Sequence, residues 1–362
     1  MEIKGKYNTA KIMINEIDET TYKQIENFVN DESFADTNIV VMPDCHAGSD
    51  VCIGFTMTMN DRIIPNLIGV DIGCGILSVK TDLSEINFEM LDNYISNNIP
   101  NGFNIHNYVS IKYDTAINYI CNILELDEDR TYKSLGTLGG GNHYIECGKG
   151  KDNKIWFTVH SGSRNFGFKI AQYYTNKAKE YCDNINYKGI AYLPIQDTKE
   201  YIEAHNIAAY YAQLNRKLII QLLQNYLEFK QLDKIETIHN YIGKDNIIRK
   251  GAVSAYDERL IIPFNMRDGM IICKGKSNNE YNYSAPHGAG RILSRSQAKK
   301  QLNYNDFVND MSNNNIYINA NQSILDEAPD AYKNMNLIID NIKPTVEIIE
   351  QIKPIYNFKA KE

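Results

Sequence analysis

Apolar residues recur along the chain at two spacings, and the alternation between them outlines its elements. Asn38 to Met42, Gly54 to Met59 and Ile76 to Lys80 read as short strands separated by glycine-rich corners. Helical periodicity governs 83–97 and 110–127, and a strand returns at Lys154 to Val159 just before His160. Asp197 to Phe229 lacks Gly and Pro and repeats Ile207, Tyr211, Leu214, Leu218 and Leu222 at helical spacing, which predicts one or two long helices. Strand-like pieces follow near 235–240, 247–254, 259–263 and 269–274, then a helix over 291–302. The tail from 329 reads as a helix and a last strand near 345–350. Strands and helices interleave without regular βαβ alternation or internal repeat. The expected class is therefore α+β, a single domain of mixed sheets over residues 1–362.

Composition narrows the class further. Apolar residues make up 43% and charged residues 23%, as in a folded globular protein. No stretch approaches the roughly 20 apolar residues of a spanning helix. The charged start Met1-Glu2-Ile3-Lys4 has no apolar run behind it, so the expected compartment is the cytoplasm with no membrane partner. Seven cysteines without a C-x-x-C pair argue against a disulfide framework or a zinc ribbon. A net charge of -7 gives no sign of nucleic-acid binding, which relies on clustered Lys and Arg. Arg249-Lys250 and the run Arg291 to Lys300 are the candidate basic patches, and solvated charge on loops and helix faces is the plainer reading of each alone.

The histidines carry more information. His46, His143, His160, His239 and His287 fall at glycine turns or strand ends, whereas His106 and His205 have no such context and His205 is expected on a helix surface. In Val70-Asp71-Ile72-Gly73-Cys74-Gly75 a tight turn brings a thiol round to a carboxylate, so both can face one metal; a buried Cys beside a turn-capping Asp is the plainer alternative. Asp71 and Cys74 together with His143, His160 and His239 exceed one tetrahedral zinc but suit two ions that share a ligand. The donor types alone favour zinc.

Leu135 to His143 (LGTLGGGNH) holds four glycines whose N–H groups can cradle a phosphate, although neither a Walker loop nor a dinucleotide fingerprint is present. A merely structural glycine turn is the competing reading. In Pro286-His287-Gly288-Ala289-Gly290-Arg291 the small neighbours leave the imidazole open to a bulky phosphate, and Arg291 can neutralise charge. His287 is the candidate nucleophile, with a further metal ligand or a turn cap as alternatives.

Five segments in order resemble the RtcB-type RNA-splicing ligases: Pro43 to Gly48 (PDCHAG), Gly69 to Gly75 (GVDIGCG), Leu135 to Glu146 (LGTLGGGNHYIE), His160 to Arg164 (HSGSR) and His287 to Arg291 (HGAGR). The resemblance implies an α+β domain around a cleft with two divalent ions, usually manganese, and a guanine nucleotide above them. It implies Asp71, Cys74 and His143 as ligands of one ion and Cys74, His160 and His239 as ligands of the other. It further implies nucleotide contacts from Asn142, His143, Tyr144, Ile145 and Glu146, from His239 and Asn240, from Pro263, Phe264, Asn265 and Met266, and from His287, Gly288, Ala289 and Gly290. Lys359 is similar to the family's terminal guanine-contacting lysine.

The implied reaction is GTP-dependent joining of a 2',3'-cyclic phosphate or 3'-phosphate RNA end to a 5'-hydroxyl end through a histidine-GMP intermediate, in RNA repair or tRNA splicing, assisted in some relatives by a helper protein. Asp44 is expected to orient His287. The chain departs from the family where a Gly-Ser-Met loop is replaced by Phe264-Asn265-Met266, and Met270 stands where many members have a nucleotide-contacting serine. These departures leave GTP against ATP open. The rival readings are a metal-dependent phosphoesterase without a nucleotidyl intermediate, and a nucleotide- or RNA-binding module without catalysis.

Overall fold

Strand Gly75–Thr81 lies inside an eight-stranded sheet and pairs antiparallel with Ile155–Ser161 on one side and Gln231–Ile238 on the other. Tyr144–Lys149 and then the long final strand Val346–Lys359 extend the sheet, followed by Gly269–Gly275 and Arg259–Asn265. The structure is a computed structural model and describes residues 1–49, 51–319 and 321–360. A six-stranded sheet joins the N-terminal strands to Asn240–Ile242 and Ile247–Lys250, and Ala252–Ser254 pairs with Ser284–Pro286 as a two-stranded ribbon. Sequence-distant segments thus share sheets, and the α+β class with mixed sheets holds. No helix among the described residues is long and apolar enough to cross a membrane.

Asp197 to Phe229 forms one 33-residue helix, Ile195–Leu227, about 50 Å long at 1.5 Å per residue. Its buried stripe runs through Ala204, Ala208, Tyr211, Asn215, Ile219 and Leu223, beside the expected Ile207, Leu214 and Leu218, which are only partly buried. Small and polar residues make up much of this stripe, so apolar spacing alone marked its flank. His205 lies on the same face with 0% exposure, and its Nε2 accepts a hydrogen bond from Ile242 N at 3.1 Å. That corrects the surface position expected for it: the helix packs against a strand there.

The sequence reading also passed over the 21-residue helix Arg164–Asn184, whose first turn carries Gly167 and whose length is rich in Tyr and Lys. Its buried Phe166, Ile170, Tyr174 and Ala178 recur at helical spacing and pack into the largest core cluster. In that cluster Phe28, Phe34 and Phe55 meet at centroid distances of 5.1, 5.3 and 6.5 Å and lock the helix Glu19–Val29 against the six-stranded sheet. Phe34→Ala should lower the unfolding free energy by about 3–5 kcal/mol in urea denaturation, as expected for a fully buried aromatic, while the exposed Met90→Ala should stay within about 0.5 kcal/mol of the parent.

Candidate metal and nucleotide site

Four neighbouring strands of the larger sheet end at one edge, and each end carries a side chain of ligand type. Cys74 precedes Gly75, His143 precedes Tyr144, His160 is the penultimate residue of its strand, and His239 follows Ile238. The register pairs Tyr144 with His160, His160 with Ile76, and Gly75 with both Ser161 and Ile238. Strands about 4.8 Å apart therefore bring to one spot donors spread over 166 positions of sequence (239 − 74 + 1). Gly75 is obligatory here, because a Cβ at that position would collide with the Thr237 carbonyl.

Cys74 Sγ lies 3.5 Å from His143 Nε2 and 3.3 Å from His160 Nε2, and His160 Nε2 lies 3.3 Å from His239 Nε2. Asp71 Oδ2 is 3.1 Å from His143 Nε2, while Ser163 N donates to Asp71 Oδ1 at 2.9 Å. The second nitrogens decide the tautomers. His143 Nδ1 faces Leu138 O at 2.8 Å and His160 Nδ1 faces Asn142 O at 3.2 Å. A carbonyl can only accept, so both Nδ1 atoms carry the proton and both Nε2 atoms present lone pairs. The single lone pair of His160 Nε2 cannot accept from Cys74 and His239 together. A cation among these donors satisfies them all, and the donor set fits a metal.

The electrostatics agree with that reading. Burial and the neighbouring imidazoles hold His160 and His239 well below the usual histidine range, which keeps them neutral and available as ligands. Burial opposes ionisation of Asp71, yet its hydrogen-bonding neighbours, the Ser163 N–H among them, keep the carboxyl below its ordinary range. Burial and then Asp71 push the Cys74 thiol well up, against the opposing charge of Arg216; a bound cation reverses such a shift. Cys74, His143 and His160 place their donor atoms within 4.8 Å of one another.

His287 follows Ser284–Pro286 and faces this edge, its ring 4.8 Å from that of His239. Its Nδ1 is 2.7 Å from Asp44 Oδ2, and the same oxygen accepts from His287 N at 3.2 Å. Asp44 is fully buried on the strand Ile39–His46, where Lys333 Nζ donates to the flanking carbonyls of Pro43 and Cys45 at 3.1 and 2.6 Å. Gly290 adopts φ +74°, and a Cβ there would collide with the Asp44 carbonyl, so the glycine lets the His287 loop close onto Asp44.

Between these groups opens a cleft with room for about 120 Å³ of water-sized occupants. Of the residues expected there, Asn142, Tyr144, Glu146, His160, His239, Pro263, Phe264, Asn265, Met266, His287, Gly288, Ala289, Gly290, Arg291 and Lys359 line it. Ile145 instead points into the core beneath the sheet. Met270 is buried with its sulfur 3.6 Å from the hydroxyls of Ser78 and Thr158, and so does not take the place expected of the family's serine. Asn240 stands behind the Cys/His cluster, accepting from Gly251 N at 3.0 Å and donating to Asp71 O at 3.4 Å.

The sequence reading missed Arg295, Glu327, Tyr332 and Asn357, which also line the cleft. Glu327 is buried and binds Arg291 at 3.1 Å, Arg295 at 3.1 Å, Tyr332 Oη at 2.7 Å and Lys359 at 3.2 Å. Lys359 also lies 4.5 Å over the Tyr144 ring. Burial opposes Glu327's charge, and Lys359, Arg295 and Arg291 more than compensate. The only local signal for Glu327 is the acidic pair Asp326-Glu327 directly after Ile324-Leu325, which spacing cannot tell from a helix cap. The basic-patch reading fails for Arg249, which is 1% exposed and paired with Asp245 at 2.7 Å. In the second run, Arg291 and Arg295 are tied to Glu327 and Asp326.

Glu146 sits opposite Asn357 in register and accepts from its Nδ2 at 2.8 Å. Burial pushes its carboxyl up to about 8, although Lys359 pulls the other way. A carboxyl raised in the fold above its ordinary 4.5 adds stability that is complete below pH 4.5 and is lost as pH rises toward about 8. Glu146→Gln cannot ionise, so its stability relative to the parent should rise by a few kcal/mol (order of magnitude) between about pH 5 and pH 8. Parallel pH profiles in urea denaturation would contradict this.

Comparison with known proteins agrees with the site. The family described as "tRNA-splicing ligase RtcB" matches residues 24–125 and 121–360. "RNA-splicing ligase RtcB" of Escherichia coli (strain K12) is 30% identical over 371 residues, covering 89% of this chain and 90% of the relative. "tRNA-splicing ligase RtcB" proteins of Nanoarchaeum equitans and Methanococcus maripaludis are 27% and 25% identical, covering 83% and 94% of this chain and 83% and 91% of their own lengths. With the matched segments spanning nearly its whole length, and the motif histidines gathered at one sheet edge, this chain belongs to the RtcB family of RNA ligases.

Proposed function

We propose that this chain, as a single ligase domain, joins an RNA 3'-phosphate or 2',3'-cyclic phosphate end to a 5'-hydroxyl end, with GTP as co-substrate and His287 as the carrier of GMP. The observation that carries the reading is the His287–Asp44 pair at 2.7 Å beside the buried Cys/His cluster. With the Nδ1 proton donated to Asp44, Nε2 is the nucleophilic nitrogen of a neutral ring at the cleft wall.

In the first step Nε2 attacks the α-phosphorus of GTP, an N–P bond forms and pyrophosphate leaves. Positive charge appears on the ring as it does so, and buried Asp44 stabilises it through Nδ1–H. Water opens a 2',3'-cyclic phosphate to the 3'-phosphate. An oxygen of that phosphate attacks the phosphorus of the GMP, freeing His287 and leaving a pyrophosphate bridge between RNA and guanosine. The 5'-hydroxyl oxygen, losing its proton, then attacks the RNA 3'-phosphorus, releasing GMP and forming the 3'-5' bond.

Asp71, Cys74 and His143, and Cys74, His160 and His239, are the residues that would hold two divalent ions, manganese by family resemblance and zinc by donor chemistry. Bound there, the ions supply charge that neutralises phosphate oxygens. Glu146 and Lys359 in the cleft wall are suited to a guanine edge, the ammonium donating to a carbonyl and the Glu146 carboxyl, ionised when guanine binds, accepting from ring N–H and amine. A second groove, on the other side of the glycine loop, suits the RNA strand. It is lined by Phe103, Arg130, Gly140, Gly141, Arg164 and Phe168 among others, with no carboxylate, and Phe103 is 92% exposed. An activating helper protein belongs to this reading as an optional partner, and the cytoplasm as the compartment.

With α-labelled GTP, manganese and pyrophosphate removal, the protein should form an acid-labile, base-stable adduct that His287→Ala abolishes. The same assay with labelled ATP measures the nucleotide preference. No adduct with either label would leave the metal-dependent phosphoesterase as the better account. Asp44→Asn should slow adduct formation roughly 100-fold or more; an unchanged rate in single-turnover kinetics would remove Asp44 from the mechanism.

A further inference from the structure

The long helix Ile195–Leu227 delivers two adjacent polar residues, Asn215 and Arg216, into the core with 0% exposure. Arg216 Nη1 donates to Gly73 O at 2.9 Å and to Ser161 O at 2.8 Å. Gly73 immediately precedes Cys74, and Ser161 immediately follows His160. Asn215 Oδ1 accepts from Gly136 N at 2.8 Å and Thr137 N at 3.1 Å, and its Nδ2 donates to Thr137 O and Ser161 Oγ, both at 2.9 Å. The two side chains therefore join the Asp71–Cys74 turn, the His160 strand end and the start of the glycine loop leading to His143. The outer face of the guanidinium is closed by Glu236, whose Oε1 lies 2.9 Å from Nε and 2.8 Å from Nη2.

A buried guanidinium is costly unless its donors are used, and a core helix would be served here by an apolar residue. Instead, Nη1 holds two carbonyls, one from the Asp71–Cys74 turn and one from a strand end, while Nε and Nη2 face Glu236, a division of donors over one rigid plane that an ammonium does not offer. Nothing in the nucleotide or RNA reading employs either residue.

We infer that Arg216, with Asn215 beside it and Glu236 behind it, is a positioning residue for the metal centre, setting the separation of Cys74 from His160. The inference rests on the metal reading of the Cys/His cluster. Side chains that orient metal ligands from behind typically change affinity by about 10–100-fold when altered.

The test uses the full chain freed of metal and titrated with Co²⁺, read by the thiolate-to-cobalt charge-transfer and d–d absorption bands. Arg216→Lys should retain its far-UV circular dichroism, bind Co²⁺ about 10–100-fold more weakly and display shifted d–d bands. Glu236→Gln, altered at a partly solvent-exposed position, should fold like the parent and move both readouts the same way by a smaller factor. A purely structural role for Arg216 would lower the melting temperature and leave the affinity and spectrum of the folded protein as they were. Unchanged affinity and bands in folded variants overturn the inference. If Arg216→Lys does not fold, Glu236→Gln decides alone: weaker binding supports the inference and parental binding overturns it. A parent chain without cobalt bands would overturn the metal reading itself, and this inference with it.

Discussion

Everything at the site depends on lone pairs that point at one another. The Nε2 atoms of His143 and His160 have no proton to give, because their Nδ1 protons go to the carbonyls of Leu138 and Asn142. Held 3.3–3.5 Å from Cys74 Sγ inside the protein, such acceptors are stable together only around a cation or at a cost in unsatisfied polarity. The sheet enforces the arrangement, since four adjacent strands end at the same edge in fixed register. A one-residue slip of any of them would turn its ligand to the opposite face.

A second layer of the same logic lies around the cleft. Asp44 is buried behind His287 and fixes its tautomer, as the two carbonyls do for the metal-side imidazoles. Glu327 gathers Arg291, Arg295 and Lys359 into the cleft wall, so that cations which would repel one another stand side by side. Such an assembly presents positive charge to the cleft in a chain whose net charge is -7. The overall acidity is therefore compatible with an anionic substrate, because the charge is sorted locally.

The candidate site positions are legible because each is marked twice, by a chemically able side chain and by a glycine turn or strand end that positions it. Asp71, Cys74, His143, His160, His239 and His287 all carry both marks, and the structure draws them together. Glu327, Tyr332, Arg295 and Asn357 carry only one. Their importance arises from partners far away in sequence, up to 211 positions for Asn357 and Glu146, and no local pattern encodes that. The same holds for Asn215 and Arg216, which sit in a helix stripe where spacing predicts apolar side chains. His205 was misjudged for the related reason that helical periodicity does not tell how many faces of a long helix are covered. Met270 aligns with a motif position, but its side chain turns into the sheet interior against Ser78 and Thr158, which a linear motif does not encode.

The central claim is that the 3'-terminal phosphate of one RNA becomes the bond to the next. The most direct measurement follows that phosphate: an RNA labelled in its 3'-phosphate is incubated with a 5'-hydroxyl RNA, GTP and manganese, and the products are treated with phosphatase before nuclease digestion. Ligation as described here predicts label in an internal 3'-5' phosphodiester that resists phosphatase. Label released as inorganic phosphate, with no joined product, would contradict the account.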